Sequence, residues 1–364
     1  MRGSLIAATR EHRIAVMPGD GIGPEVVREA LRVLDVVARV EGFSLDLLHL
    51  PDSGDHYLET GEIMTPQTIE SLRGCESLLL GAVGHATLPS GFVESRTNHV
   101  LVHELDLSIG VRPAELFADH LTPLKGVSVG DLDITIVRPT NEGEIAIRGG
   151  SLQKGSPYEA AVSLDVHTRF GVDRVLRHGF ELAGTRRRRL AVVAQANANT
   201  SHKVWEAALE GLQGEYPDVA TEFLYPDHAA MQLVREPERF DVLATTLIIG
   251  GIFTDLLGAL IGGIGLIGSV RWNPETRFGL YEPAHGSAPK YTGKNMVSPI
   301  ATFRALAMLL DNLGERSAAT RIDEAIRQVF RTGTVSDPSS RSALGTVGTT
   351  DAVLAAIADP QPAG

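Results

Sequence analysis

Apolar residues recur along this chain in alternating rhythms. Arg13–Met17 is a short apolar run that stops at Pro18-Gly19-Asp20-Gly21-Ile22-Gly23-Pro24-Glu25. Val26–Val40 then carries apolar residues at helical spacing. Leu45–Leu50 predicts a second strand, Pro66–Arg73 a helix, and Ser77–Val83 a buried strand ending in glycine. This alternation predicts an α/β protein with a largely parallel sheet. From about Asp106 to Ala183 the rhythm changes. Ile134–Val137 predicts a strand, a glycine-rich polar stretch follows, and Phe170–Ala183 predicts an amphipathic helix. The run Arg186–Arg189 comes next and predicts a solvated helix end that complements the helix dipole, with an anion site as the alternative. Leu190–Ala194, Glu222–Tyr225 and Val242–Ile249 predict further strands with helices between them. Ser298–Gly314 and Ser317–Phe330 predict closing helices.

Val242–Val270 is the most apolar stretch, but Asp255 and several glycines interrupt it. A spanning helix wants about 20 mostly apolar residues with few charges. The stretch therefore predicts a buried strand, a turn and a packed helix, and no membrane partner. The apolar run near the N-terminus is too short for a secretory leader.

Apolar residues make up 43% of the 364 positions and charged residues 21%, a globular balance. Cys75 is the single cysteine, so no intrachain disulfide forms; a buried thiol in a reducing, cytoplasmic compartment is expected. The net charge of −12 argues against nucleic acid as the partner. An acidic protein that handles an anionic substrate must concentrate positive charge locally.

Four segments carry candidate chemistry. Gly19–Glu25 is a glycine turn leading into a helix with proline in its first turn; it departs from the Rossmann fingerprint at Pro24. Tyr281-Glu282-Pro283-Ala284-His285-Gly286-Ser287-Ala288-Pro289-Lys290-Tyr291-Thr292-Gly293 combines a carboxylate, an imidazole, a cation and a ring among small residues. Small residues let backbone N–H groups approach a phosphate or ribose. Asp227 and Asp255 suit a hard divalent ion such as Mg²⁺ or Mn²⁺, or serve as ordinary capping or solvated carboxylates. Arg112 and Arg138 each end an apolar run and so emerge at a strand edge, where arginine clamps carboxylates.

Together and in order, these segments resemble the β-decarboxylating dehydrogenases: the isocitrate, isopropylmalate and tartrate dehydrogenases. The resemblance runs from about Ile14 to Asp351. It rests on Gly19–Glu25, Gly81-Ala82-Val83-Gly84, Arg112-Pro113, Met231-Gln232-Leu233 with Phe240-Asp241-Val242, and Glu282–Pro289. It implies an α/β isopropylmalate/isocitrate dehydrogenase-like fold in two domains, with a largely parallel central sheet and a non-Rossmann dinucleotide site. Residues 1–107 and 263–364 would form the cofactor domain, and residues 108–262 the domain for substrate, metal and dimer contact. A homodimer is implied, with a small carboxylate of the malate, isopropylmalate or isocitrate class as substrate. Cofactor contacts fall to Glu282, His285, Gly286, Ser287, Ala288, Lys290, Tyr291, Val297 and Ser298. NAD-using members carry an acid where Lys290 stands; Lys290 with Tyr291 fits a 2′-phosphate, which favours NADP. Asp227 and Asp255 match two of the three metal-binding acids.

The same resemblance shows departures. Gly251 stands where the third metal acid belongs, so the Mg²⁺ or Mn²⁺ site is incomplete. Gln195 replaces a lysine of the proton-transfer network, while Asn197 is kept. Ile145 takes the place of a tyrosine acid, and Val102 that of the first substrate arginine. Glutamine and isoleucine have no proton to exchange. Three readings follow: an NADP-dependent dehydrogenase with an altered substrate, in which His103 or His167 carries protons; a non-redox enzyme built on the same pocket; or a non-catalytic subunit. The expected arrangement has the loop near His285 and the turn near Gly21 gripping a nucleotide, beside a pocket reached by Arg112 and Arg138.

Overall fold

The computed structural model describes residues 10–144, 149–339 and 344–359. Ile145 and the N-terminal apolar run lie outside the described residues. In chain order the elements are β1 (Arg10–Met17), α1 (Gly23–Glu41), β2 (Phe43–His49), α2 (Gly54–Thr60), α3 (Pro66–Arg73), β3 (Ser77–Leu80) and α4 (Phe92–Glu104). There follow β4 (Ile109–Glu115), β5 (Asp133–Pro139), β6 (Gly149–Leu152), β7 (Ala160–Ser163), α5 (Arg169–Gly184), β8 (Arg189–Val193), α6 (Lys203–Leu212), β9 (Ala220–Leu224) and α7 (Pro226–Arg235). The chain closes with β10 (Val242–Thr245), α8 (Leu247–Ile261), β11 (Gly268–Trp272), β12 (Gly279–Pro283), α9 (Ile300–Asn312), α10 (Arg316–Arg331) and α11 (Gly345–Ala358).

The chain divides into two compact units, residues 1–97 with 277–364, and residues 98–276. The boundaries fall at 97 and 276, where the sequence reading placed them at 107 and 262. The second shift has a plain cause: β11 pairs antiparallel with β4, which fixes it in the middle unit.

In the first unit the strands run β2-β1-β3-β12, all parallel. Their centre is apolar on both faces: Ile14, Val16, Leu78, Leu79 and Leu280 are fully buried. That is the mark of a parallel sheet covered on both sides. Helix α1 buries Val26, Ala30, Val33, Leu34 and Val37, opens with Pro24 in its first turn, and stops at Gly42 with φ +74°.

In the second unit the order is β11-β4-β5-β10-β8-β9, with β4 antiparallel to both neighbours and the rest parallel. The strand expected over Val242–Ile249 ends at Thr245, and helix α8 starts at Leu247. The exposed face of α8 carries the apolar Ile248 and Ile252, so hydropathy showed no period to separate strand from helix. Arg186 and Arg187 are not a solvated helix end. Arg186 Nε donates to Asp241 Oδ1 at 2.8 Å, and the Arg187 backbone N–H to Asp241 Oδ2 at 2.8 Å. Asp241 is buried, so these donors satisfy a carboxylate that would otherwise be stranded. Strands β6 and β7 form a separate antiparallel hairpin. Among the described residues no helix is long and apolar enough to cross a membrane.

Candidate active site

The first unit folds its glycine turn onto the histidine-bearing loop. Ile22 N–H donates to the Ser287 carbonyl at 2.9 Å. Gly21 has φ +60°, and a Cβ there would lie 2.1 Å from the Ser287 carbonyl oxygen. Only glycine permits both the left-handed backbone and the close approach. Asp20, almost fully buried, accepts from Gly54 N–H at 2.7 Å and Gly84 N–H at 2.9 Å. A Cβ at Gly84 would come 3.2 Å from Ser287 Oγ. The turn, the Gly81–Gly84 segment and the 285 loop therefore meet. Sequence reasoning missed Asp20, which lies inside the glycine motif and could have been found there.

Beneath them Ile22, Val26 and Val297 make a small apolar cluster on which Ala288 and Tyr291 pack. Ala288 holds φ +37°. Lys290 is exposed, with Nζ 4.7 Å from the Tyr291 ring centroid. Ser298 Oγ accepts from Ile300 N–H at the start of α9, Gly286 is exposed, and Glu282 is buried at the end of β12. His285 Nδ1 lies 3.0 Å from the Gly286 carbonyl, so it carries the proton and donates. Nε2 is then a bare acceptor, buried and without a partner in the structure. Burial pushes the His285 pKa down, which keeps the ring neutral. An unsatisfied buried acceptor beside small residues fits a ligand rich in hydroxyl and amide donors, as a dinucleotide is.

The second unit gathers the arginines against α8. Gly110 opposes Arg138 in the β4–β5 register, so Arg112, two residues on, shares the face of Arg138. Arg138 Nη1 donates to the Leu247 carbonyl at 2.6 Å, and Arg112 Nη1 to Thr254 Oγ1 at 3.4 Å. Gln195 Nε2 donates to Asn197 Oδ1 at 2.8 Å. Asp227, which accepts from His228 N–H, and Asp255 are both exposed. Val102 is buried at 3% exposure on α4. Of the three metal-binding acids that the resemblance implies, the described residues offer Asp227 and Asp255. Gly251 offers no oxygen, and a Cβ there would stand 3.4 Å from the Arg138 guanidinium.

A second polar cluster escaped the sequence reading, apart from His167. Glu144, Asp165, His167 and His202 bring one ligand-type atom each within 4.8 Å of one another. His167 Nε2 lies 3.0 Å from Asp165 Oδ1, and His202 Nε2 3.2 Å from Asp165 Oδ2. Both Nδ1 atoms accept: His167 from Trp205 Nε1–H at 3.3 Å, and His202 from Gln195 N–H at 2.9 Å. Each Nε2 therefore bears the proton. A metal-binding histidine does the reverse, donating from its second nitrogen. The cluster sets two imidazoles against carboxylates at ion-pair distance, with no aligned hydrogen bond at either Nε2. Burial raises the Glu144 pKa, but bonds from His202, its own backbone, Thr246 and Ile248 outweigh it and hold the carboxyl at about 2. The His167 side chain is fully buried, and burial pushes its pKa down. It cannot reach a substrate. His103 is exposed and sits edge-on to His99 at 4.3 Å.

The sequence pattern that defines the isocitrate/isopropylmalate dehydrogenase family matches residues 13–353, and the chain belongs to that family. It is 37% identical over 356 residues to a 3-isopropylmalate dehydrogenase of Leifsonia xyli, covering 96% of this chain and 99% of the relative. It is 40% identical over 324 residues to another from Thermobifida fusca, covering 88% and 92%. Among solved structures, isocitrate dehydrogenase of Methylococcus capsulatus superimposes with a TM-score of 0.84 at 29% identity, over 95% of this chain and 99% of that one. An apo β-decarboxylating dehydrogenase of Thermococcus kodakarensis gives 0.76 at 28% identity, over 96% of each.

Proposed function

We propose that this protein is an oxidoreductase that oxidises a 2-hydroxy acid of the malate, isopropylmalate or isocitrate class with a nicotinamide dinucleotide, NADP in preference to NAD. The family membership supports the reaction class. The observation that carries the site is the glycine turn laced onto Ser287, with His285 Nε2 left as a buried acceptor. When bound, the dinucleotide supplies the nicotinamide ring that takes the hydride from C2. Ile22–Ser287 and Asp20 fix the turn, Val297, Ala288 and Tyr291 floor it, and the Lys290 ammonium would hold the 2′-phosphate.

On the substrate side, Arg112 and Arg138 supply positive charge for the carboxylates. As the hydride leaves C2, the hydroxyl proton must also leave, giving a 2-oxo acid. Gln195 and Asn197 orient that hydroxyl by hydrogen bonding; neither accepts its proton, which passes to water. Loss of the β-carboxylate breaks the C3–carboxylate bond, leaves its electron pair as an enol, and needs a proton at C3. Ile145 has none to give, so this step also draws on water and is the slower one.

A homodimer fits the surface of the second unit. Met231, Val234, Ile248 and Ile252 are exposed on α7 and α8 at 48%, 42%, 38% and 60%. The β6–β7 hairpin is exposed throughout, and a lone two-stranded hairpin is marginal in water. A second copy would cover both. The single buried thiol, Cys75, fits a cytoplasmic location. Incubation with NADP⁺ or NAD⁺ and a panel of 2-hydroxy acids bearing a β-carboxylate tests the reading. Reduced nicotinamide should accumulate with NADP⁺ and at least one acid; no reduction with any pair would overturn it.

A further inference from the structure

Helix α8 carries one acid, Asp255, and Gly251 lies one turn before it. The glycine is not a steric necessity: a Cβ at 251 would meet the Arg138 guanidinium at an ordinary contact distance of 3.4 Å. A Cβ would fit, and glycine within a helix costs about 1 kcal/mol relative to alanine. The carboxylate is therefore absent although space and helix stability both favour a side chain.

Arg138 makes use of what the glycines leave. Its Cδ would lie 2.8 Å from a Cβ at Gly250, so the side chain lies flat on the helix because position 250 is bare. Nη1 reaches the Leu247 carbonyl, and the residue is 8% exposed. A guanidinium stays charged in such surroundings. Arg112 reaches the same helix two turns along, at Thr254. Beside α8 the Arg112 and Arg138 guanidiniums thus share the helix with two carboxylates: Asp255, and Glu144, which accepts from Thr246 Oγ1–H and Ile248 N–H at the N-terminal end. A divalent ion set next to the Arg138 guanidinium at position 251 would be repelled by it, whereas a carboxylate would be attracted.

We propose that this protein binds and turns over its anionic substrate without a divalent metal ion, and that Arg138 is the resident cation at the position a metal would otherwise hold. The proposal rests on reading Arg112, Arg138 and Asp255 as the substrate side of a dehydrogenase site. Arginine suits the task, because its donors stabilise a developing alkoxide oxygen by charge-assisted hydrogen bonds without a bound ion.

The test counts ions. Mn²⁺ alone is titrated into the full-length wild type, Gly251→Asp, Asp255→Asn and the Gly251→Asp/Asp255→Asn double variant, and free Mn²⁺ is read by electron paramagnetic resonance. Wild type and Asp255→Asn are expected to leave Mn²⁺ free throughout the micromolar range. Gly251→Asp should bind it at least tenfold tighter, and the double variant should lose that gain. Stoichiometric binding to wild type that Asp255→Asn abolishes would overturn the proposal. So would oxidation of the substrate that stops in EDTA and returns with Mn²⁺. If Gly251→Asp fails to fold, wild type against Asp255→Asn still decides. Absence of turnover with every acid would sink the dehydrogenase reading but leave the ion count standing.

Discussion

Gly21 and the Ser287 carbonyl oxygen are so close that a Cβ on the glycine would lie 2.1 Å from that oxygen. Two segments more than two hundred and fifty residues apart are joined at a point where no side chain fits. Gly21→Ala must push the 285 loop away and also strain a backbone at φ +60°, a cost of about 1–2 kcal/mol from the backbone alone. We expect at least a tenfold loss of NADP⁺ affinity by isothermal titration, with circular dichroism little changed.

Lys290 decides the choice of dinucleotide. A charge-assisted contact to phosphate contributes about 1.5–3 kcal/mol, a factor of roughly 10–100 in affinity. Lys290→Ala should weaken NADP⁺ binding by that factor and leave NAD⁺ binding unchanged. Equal weakening of both would show that the side chain serves the loop and not the phosphate.

At Gln195, where the family resemblance implies a proton-transferring lysine, the backbone rather than the side chain is held by His202. The side chain is thus replaceable without disturbing that anchor. A positioned acid–base group is worth about 10²–10⁴ in rate. Gln195→Lys should raise turnover of the best acid at least tenfold and add a pH dependence that wild type lacks. Unaltered turnover would remove this position from the reaction.

His202 accepts the Gln195 N–H inside a buried network, so His202→Ala strands a donor at a cost of about 1–3 kcal/mol. The melting temperature should fall by several degrees. His202→Asn, which offers an oxygen at a similar reach, should recover part of the loss; failure to recover any would point to lost packing instead.

His178 predicts acid sensitivity. Burial beside the Trp272 ring, 5.1 Å away, holds its pKa down at about 4. The unfolded chain takes up this proton near pH 6.5 and the folded one does not, so stability falls as pH drops from about 6.5 toward about 4. The group's contribution to that loss is on the order of 3 kcal/mol. Denaturant titrations across this range should show a shallower decline for His178→Phe.

Elements with a strong period or a chemical boundary were readable from the chain. Helix α1 announces itself by its apolar spacing, Pro24 and Gly42, and the 285 loop by its crowding of small and charged residues. The boundary between β10 and α8 was not readable, because the exposed face of α8 begins with Ile248 and Ile252, and a helix apolar on its exposed face shows no hydropathy period. Asp165 and His202 are 37 residues apart and ordinary in their local sequence; only folding makes them neighbours.

The sequence alone determined which functional groups are missing, because a glycine at 251 or a glutamine at 195 lacks its carboxylate or amine in any conformation. It also determined the α/β rhythm, which depends on spacing between near neighbours. Only the tertiary structure decided what fills the gaps: that Arg138 lies along α8 beside Gly251, that His202 grips the Gln195 backbone, and that Gly21 closes on Ser287. Those are contacts between residues distant along the chain, and their distances are set by how sheets and helices pack, which local pattern does not encode.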